Sequence, residues 1–227
     1  MRSAVILAGG ESRRLGAEKS LLVFEGRPLI CWTAERLRMT ADEVVVVARS
    51  KAHAERLEKI ISDYSPAKTK VTFTWDRVAG FGPVAGLSAG MKEARGELAF
   101  ATGCDLPFLS LQVIERLFEL ADEEGYEAAV PVQPNGFFEP LHCVYHREKM
   151  RLACDRALER EERRIYAPLQ ELCVRRVHVD LLRPLDPDLL SFFNLNTRED
   201  LEKARALWPE CRKHSGLKQC NASDVVL

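Results

Sequence analysis

The residues best suited to chemistry lie in Leu7-Ala8-Gly9-Gly10-Glu11-Ser12-Arg13-Arg14-Leu15-Gly16-Ala17-Glu18-Lys19, directly after the apolar run Ala4 to Ala8. Gly9 and Gly10 carry no Cβ, so their backbone N–H groups can approach an oxyanion closely. Arg13, Arg14 and Lys19 beside such a turn suit a polyphosphate. The spacing Gly-Gly-x5-Gly-x2-Lys is neither a Walker A loop nor Gly-x-Gly-x-x-Gly. The plainer alternative is a buried strand that stops in a solvated loop.

Three further stretches could act with this loop. Asp105 stands in Gly103-Cys104-Asp105-Leu106-Pro107, at the end of an expected strand Leu98 to Thr102. Open parallel sheets place their ligand crevice at such ends, which makes Asp105 a candidate metal ligand or, alternatively, a turn cap ahead of Pro107. The segment around Gly80, Gly82, Pro83, Gly86 and Gly90 starts a helix at Pro83 with free N–H groups for an anion, unless its small residues serve close helix–sheet packing. Asn194 and Asn196 share one face of an extended segment, where two amides can read a polar heterocycle or a phosphate tail, or can bond locally. His142 and His146 fall on one face of an expected strand, too far apart for joint metal ligation.

Alternating elements must position these residues. The valine-rich stretch Glu43 to Ala48 reads as a strand buried on both faces, and Val71 to Trp75 as another, ending at Asp76. Further strands are expected at Leu21 to Phe24, Ala128 to Val132, after the Asn135-Gly136 turn, and at Leu172 to Val179, the last as an edge. Helices are expected from Pro28 to about Met39, Lys51 to Ile61, Pro83 to Arg95, after the Ser110 cap, and over the charged stretch Arg147 to Arg163. Thr197 with Asp200 forms a capping box opening a last helix to Leu207. The fold class is therefore α/β, three-layered, with a mostly parallel central sheet. A single domain is expected over residues 1–208, with 209–227 a disordered or loosely docked tail.

Composition narrows the function. The chain has 227 residues, 46% of them hydrophobic, which is ample for one core. A net charge of −1 gives no basic footprint for nucleic acid, whereas a small anion neutralised by local cations remains compatible. The cysteines at 31, 104, 143, 154, 173, 211 and 220 show no Cys-x-x-Cys spacing, so they read as small apolar fillers in a reducing compartment. No run approaches the roughly 18 apolar residues of a membrane span, and the expected location is the cytoplasm.

In combination, Leu7-Ala8-Gly9-Gly10-x2-Arg13-Arg14-Leu15-Gly16-x2-Lys19, Gly82-Pro83-Val84-Ala85-Gly86 and Cys104-Asp105-Leu106-Pro107 resemble the Rossmann-like nucleotidyltransferases. Over residues 3 to 207 the chain resembles the molybdenum cofactor guanylyltransferase family, which joins GMP from GTP to molybdopterin and releases pyrophosphate. Leu7-Ala8-Gly9-Gly10 and Asn194-Leu195-Asn196-Thr197 resemble the guanylyl branch; the cytidylyl branch more often shows Leu-Ala-Ala-Gly and Asp-x-Asp-Thr. The resemblance implies that Leu7, Ala8, Gly9, Gly10, Lys19, Asp76 and Asp105 bind the nucleotide. It implies that Pro83, Val84, Ala85, Gly86, Asn194 and Asn196 meet the pterin substrate. Arg14, Lys19 and Asp105 would be catalytic, with Mg²⁺ on Asp105 as cofactor. GTP and molybdopterin would be the partners, with molybdoenzyme maturation proteins as further ones. Ala48-Arg49-Ser50 departs from the family, which often carries a guanine-binding Asn in that loop. The rival readings are a sister nucleotidyltransferase acting with CTP or on another small phosphate, and a non-catalytic nucleotide-binding module.

Overall fold

The computed structural model describes residues 1–12, 17–64, 70–76 and 81–215. A seven-stranded sheet is built from β1 (Arg2–Leu7), β6 (Glu43–Ala48), β7 (Lys70–Trp75), β8 (Leu98–Gly103), β9 (Ala128–Val132), β10 (His142–His146) and β11 (Val174–His178). The strands β2 (Glu11–Ser12) with β3 (Ala17–Glu18), and β4 (Val23–Phe24) with β5 (Arg27–Pro28), form two short hairpins ahead of β6. The sheet order is β11-β9-β10-β8-β1-β6-β7, and β10 alone runs antiparallel to its neighbours β8 and β9. A mostly parallel sheet is what the sequence led one to expect.

Side-chain alternation splits the core in two. Ala4, Ile6, Val44 and Val46 face helices α1 (Leu29–Leu37), α2 (Lys51–Tyr64) and α4 (Leu111–Ala121). Val5, Val45 and Val47 face α3 (Gly82–Glu93), α5 (Arg147–Glu159) and the short α6 (Tyr166–Leu169). Every residue of β6 is buried, which is why its valines run without polar alternation. Close approach of α3 to the sheet depends on Gly90, where a Cβ would come within 2.4 Å of Val5 Cγ1. Cys31, Cys104, Cys143 and Cys154 are buried, and burial pushes the Cys31 and Cys154 thiols up to about 12, as befits apolar fillers. No described helix is long and apolar enough to cross a membrane.

Three expectations change. The strand expected at Leu21 to Phe24 is shortened to the two-residue β4, because Leu21 closes the 3₁₀ turn Lys19–Leu21. The strand after Asn135 is confined to β10, preceded by a single bridge from Phe138 to Val132. The last helix, α7 (Arg198–Ser215), continues through Pro209 rather than ending at Leu207. Trp208 explains this: it is 6% exposed and inserts among Phe24, Trp32 and Phe108, so tertiary burial outweighs the hydrogen bond that proline cannot donate. The expected tail from Pro209 thus lies partly within α7 and, from residue 216, outside the described residues.

Candidate active site

The C-terminal ends of β1 and β8 stand side by side, with Leu7 paired to Gly103. Beyond β1, Ala8 is fully buried and donates its N–H to Val47 O at 2.9 Å, while Gly9 and Gly10 are exposed. Neither glycine takes a positive φ, and a Cβ on Gly10 would meet nothing within 4 Å. Packing therefore does not demand glycine at position 10, and the bare backbone there faces open space. Arg14, with Arg13, Leu15 and Gly16, lies outside the described residues.

Lys19 emerges from the loop at the start of its 3₁₀ turn and reaches two distant segments. Its Nζ donates to Asp105 Oδ2 at 2.6 Å and to Asn196 Oδ1 at 2.6 Å. Asp105 is positioned by the turn after β8, where a Cβ on Gly103 would come within 2.5 Å of Asp105 Oδ1. The Asp105 carbonyl accepts from Leu195 N at 2.9 Å, tying the asparagine segment to the same turn. The capping box holds that segment from the other side: Asp200 Oδ2 accepts from Thr197 N at 2.9 Å and Asp200 N donates to Thr197 Oγ1 at 3.1 Å. Asn194 lines a cavity beside Asp105.

The other expected residues are placed differently. Asp76 stands at the end of β7, two strands from β1, its N–H bonded to Ala48 O at 3.2 Å. Val84, Ala85 and Gly86 are buried, and a Cβ on Gly86 would touch Leu7 Cδ2 at 3.4 Å, so these small residues serve helix–sheet packing. Pro83 is exposed at the helix start.

The sequence does not mark Glu18 or Glu139 as site residues, and it places His142 only as a strand residue. Glu18 contacts His53 Nε2 and Arg49 Nη2, the latter at 3.3 Å, pinning the loop's last turn to the start of α2. Burial pushes the His53 imidazole below its ordinary range, against the opposing pull of Glu18. Glu18 is adjacent to Lys19 in sequence, but nothing local shows that Arg49 and His53 will meet it. A second group is Glu139 with His142. β10 starts at the crevice end because it is antiparallel, pairing His142 with Thr102 of β8. Among the described residues no group of three or more His, Cys, Asp or Glu side chains could hold a metal by itself. A single carboxylate at a strand end does suit Mg²⁺, which takes one or two carboxylates and fills its shell with water and substrate phosphates.

The family described as the MobA-like NTP transferase domain matches residues 4–175. A Methanosarcina mazei protein named probable molybdenum cofactor guanylyltransferase is 37% identical over 203 residues, 88% of each chain. A Natronomonas pharaonis protein of the same name is 38% identical over 205 residues, 90% of this chain and 96% of the relative. The crystal structure of molybdopterin-guanine dinucleotide biosynthesis protein A from Archaeoglobus fulgidus superposes with a TM-score of 0.77 at 31% identity, covering 92% of this chain and 100% of that one.

Proposed function

This chain belongs to the MobA-like NTP transferases and, within them, to the molybdenum cofactor guanylyltransferases, and from that premise we propose how its residues perform the transfer. The enzyme moves GMP from GTP to molybdenum-molybdopterin. The terminal phosphate oxygen of molybdopterin bonds to the α-phosphorus of GTP, the bond from that phosphorus to the β-phosphate bridging oxygen breaks, and pyrophosphate leaves. An anionic phosphate nucleophile needs no strong general base, so the protein's task is positioning and charge neutralisation.

The observation carrying the assignment is the convergence on Lys19 of Asp105 and Asn196, from segments far apart in the chain. Lys19 and Arg14 are assigned to the triphosphate, with the amides of Gly9 and Gly10 approaching it along the bare loop. Leu7, Ala8 and Asp76 complete the nucleotide side. Asn194, Asn196 and the exposed start of α3 at Pro83 are assigned to the pterin substrate; buried Val84, Ala85 and Gly86 contribute by holding that helix end in place. Asp105 would hold Mg²⁺, which when bound neutralises charge on the triphosphate. Glu18, clamped to α2, keeps Lys19 at the crevice.

Pyrophosphate release with Mg²⁺ and molybdate-loaded molybdopterin, compared among GTP, CTP and ATP, tests this. Release with GTP alone is expected. Release with CTP would retain the chemistry and overturn the base assignment, and silence with all three would overturn the reaction.

A further inference from the structure

His142 is 1% exposed, and neither Nδ1 nor Nε2 has a hydrogen-bond partner. Buried polar atoms are nearly always paired, so two orphaned nitrogens on one ring call for a reason. The ring is wedged between Phe100 and Phe192, with centroids 5.3 and 4.5 Å away, and cannot turn outward to find water without losing that packing. It borders a cavity of about 120 Å³ lined also by Asp105, Leu106, Glu139, Phe192 and Asn194. Glu139 and His142 open and close one tight turn, His142 N donating to Glu139 O at 3.0 Å. Glu139 is braced by Gln133, whose Nε2 donates to its Oε1 at 2.8 Å.

The walls select the occupant. An anion would face the carboxylates of Asp105 and Glu139. A Mg²⁺ ion drawn to those carboxylates takes oxygen ligands and would leave both imidazole nitrogens unpaired, as an apolar group would. Burial pushes His142 down to about 3, so it stays neutral, with one N–H to donate and one lone pair to accept. What fits is a flat, neutral ring edge carrying adjacent N–H donors beside a carbonyl.

We propose that this cavity is a subsite for the 2-amino-4-oxopyrimidine edge of the acceptor's pterin ring, with Glu139 accepting from its N–H groups and His142 donating to its carbonyl. The inference rests on the guanylyltransferase reading above, because guanine carries the same edge. Position distinguishes the two rings. The nucleotide residues Leu7 to Gly10 and Asp76 lie toward β1 and β7, whereas the cavity opens beyond Asp105 on the β8–β10 side, next to Asn194.

The test uses His142→Phe, which keeps the ring packed between its aromatic neighbours, and Glu139→Gln at a half-buried site. In both, KM for molybdopterin should rise about tenfold or more while KM for GTP stays within about twofold, the expected loss of one or two buried hydrogen bonds to one substrate. Fluorescence titration with 6-hydroxymethylpterin and with 6-hydroxymethyllumazine, whose 2-amino group is replaced by oxygen, gives a readout independent of turnover. The wild type should prefer the pterin and Glu139→Gln should lose that preference. A rise in KM for GTP instead would mean that the pocket reads guanine and would overturn the proposal. Unchanged constants with no pterin preference would leave a water-filled structural cavity and equally overturn it. Failure of the guanylyltransferase reading would show separately, as wild-type protein that transfers nothing to molybdopterin, and the titration would still decide the subsite.

Discussion

Lys19 and Asp105 hold each other at 2.6 Å with side chains only 18% and 16% exposed, a geometry that preorganises charge at the mouth of the crevice. Lys19→Met removes the cation assigned to the triphosphate, and Asp105→Ala the carboxylate assigned to the metal. Each should lower kcat by about 10²-fold or more, the scale of losing one preorganised charge at a transferring phosphate. Thermal melting should show both variants folded, and normal turnover by Asp105→Ala would refute the metal assignment. His142 makes a separate prediction about acid. Its folded pKa lies near 3, below the ordinary value of 6.5, so the unfolded chain binds the extra proton. Stability from this residue is complete above pH 6.5 and declines as pH falls toward 3, by about 1.4 kcal/mol per unit. Urea denaturation at pH 7 and pH 5 should therefore cost the wild type about 2 kcal/mol more than His142→Phe. Equal losses in the two proteins would mean that the imidazole is not held neutral.

At the scale of elements, glycines that look alike in the sequence serve different ends. A Cβ on Gly90 would lie 2.4 Å from Val5 Cγ1 and 2.9 Å from Val47 Cγ2, so Gly90→Ala should wedge α3 off the sheet at a cost of about 1–3 kcal/mol. A Cβ on Gly10 meets nothing, so Gly10→Ala should leave the denaturation midpoint unchanged and raise KM for GTP. A loss of stability in the second variant, or none in the first, would reverse the roles. The sequence could expose such elements wherever the signal is local. The Ser110 cap accepts from Val113 N at 3.4 Å, the Thr197–Asp200 box forms, and the valines of β6 are buried as their run implies. It could name Lys19, Asp105 and Asn196 by type and spacing. Their meeting is a tertiary fact, as is the clamp on Glu18. His142 was visible as a strand residue, but only the antiparallel entry of β10 brings it to the crevice end of the sheet.

The whole molecule closes on itself through α7. Trp208 stacks edge-on against Trp32 at 4.7 Å and Phe24 at 5.1 Å, while Trp32 Nε1 donates to Phe24 O at 2.8 Å, so the C-terminal helix is joined to the hairpin and helix that follow the glycine-rich loop. Leu195, between the two site asparagines, is fully buried in the same cluster. The cluster thus fixes Asn196 relative to Lys19 without touching substrate itself. Trp208→Ala should cost about 3–5 kcal/mol, as for other large aromatic truncations in packed cores, because it empties the centre of the cluster. It should also raise KM for molybdopterin under conditions where the variant is still folded, since the asparagine segment loses its anchor. Trp208→Phe, which refills most of the space, should recover most of both losses. If stability fell while KM remained at the wild-type value, α7 would be a structural brace only, and the turn at Asp105 with the capping box would suffice to hold Asn196 at Lys19.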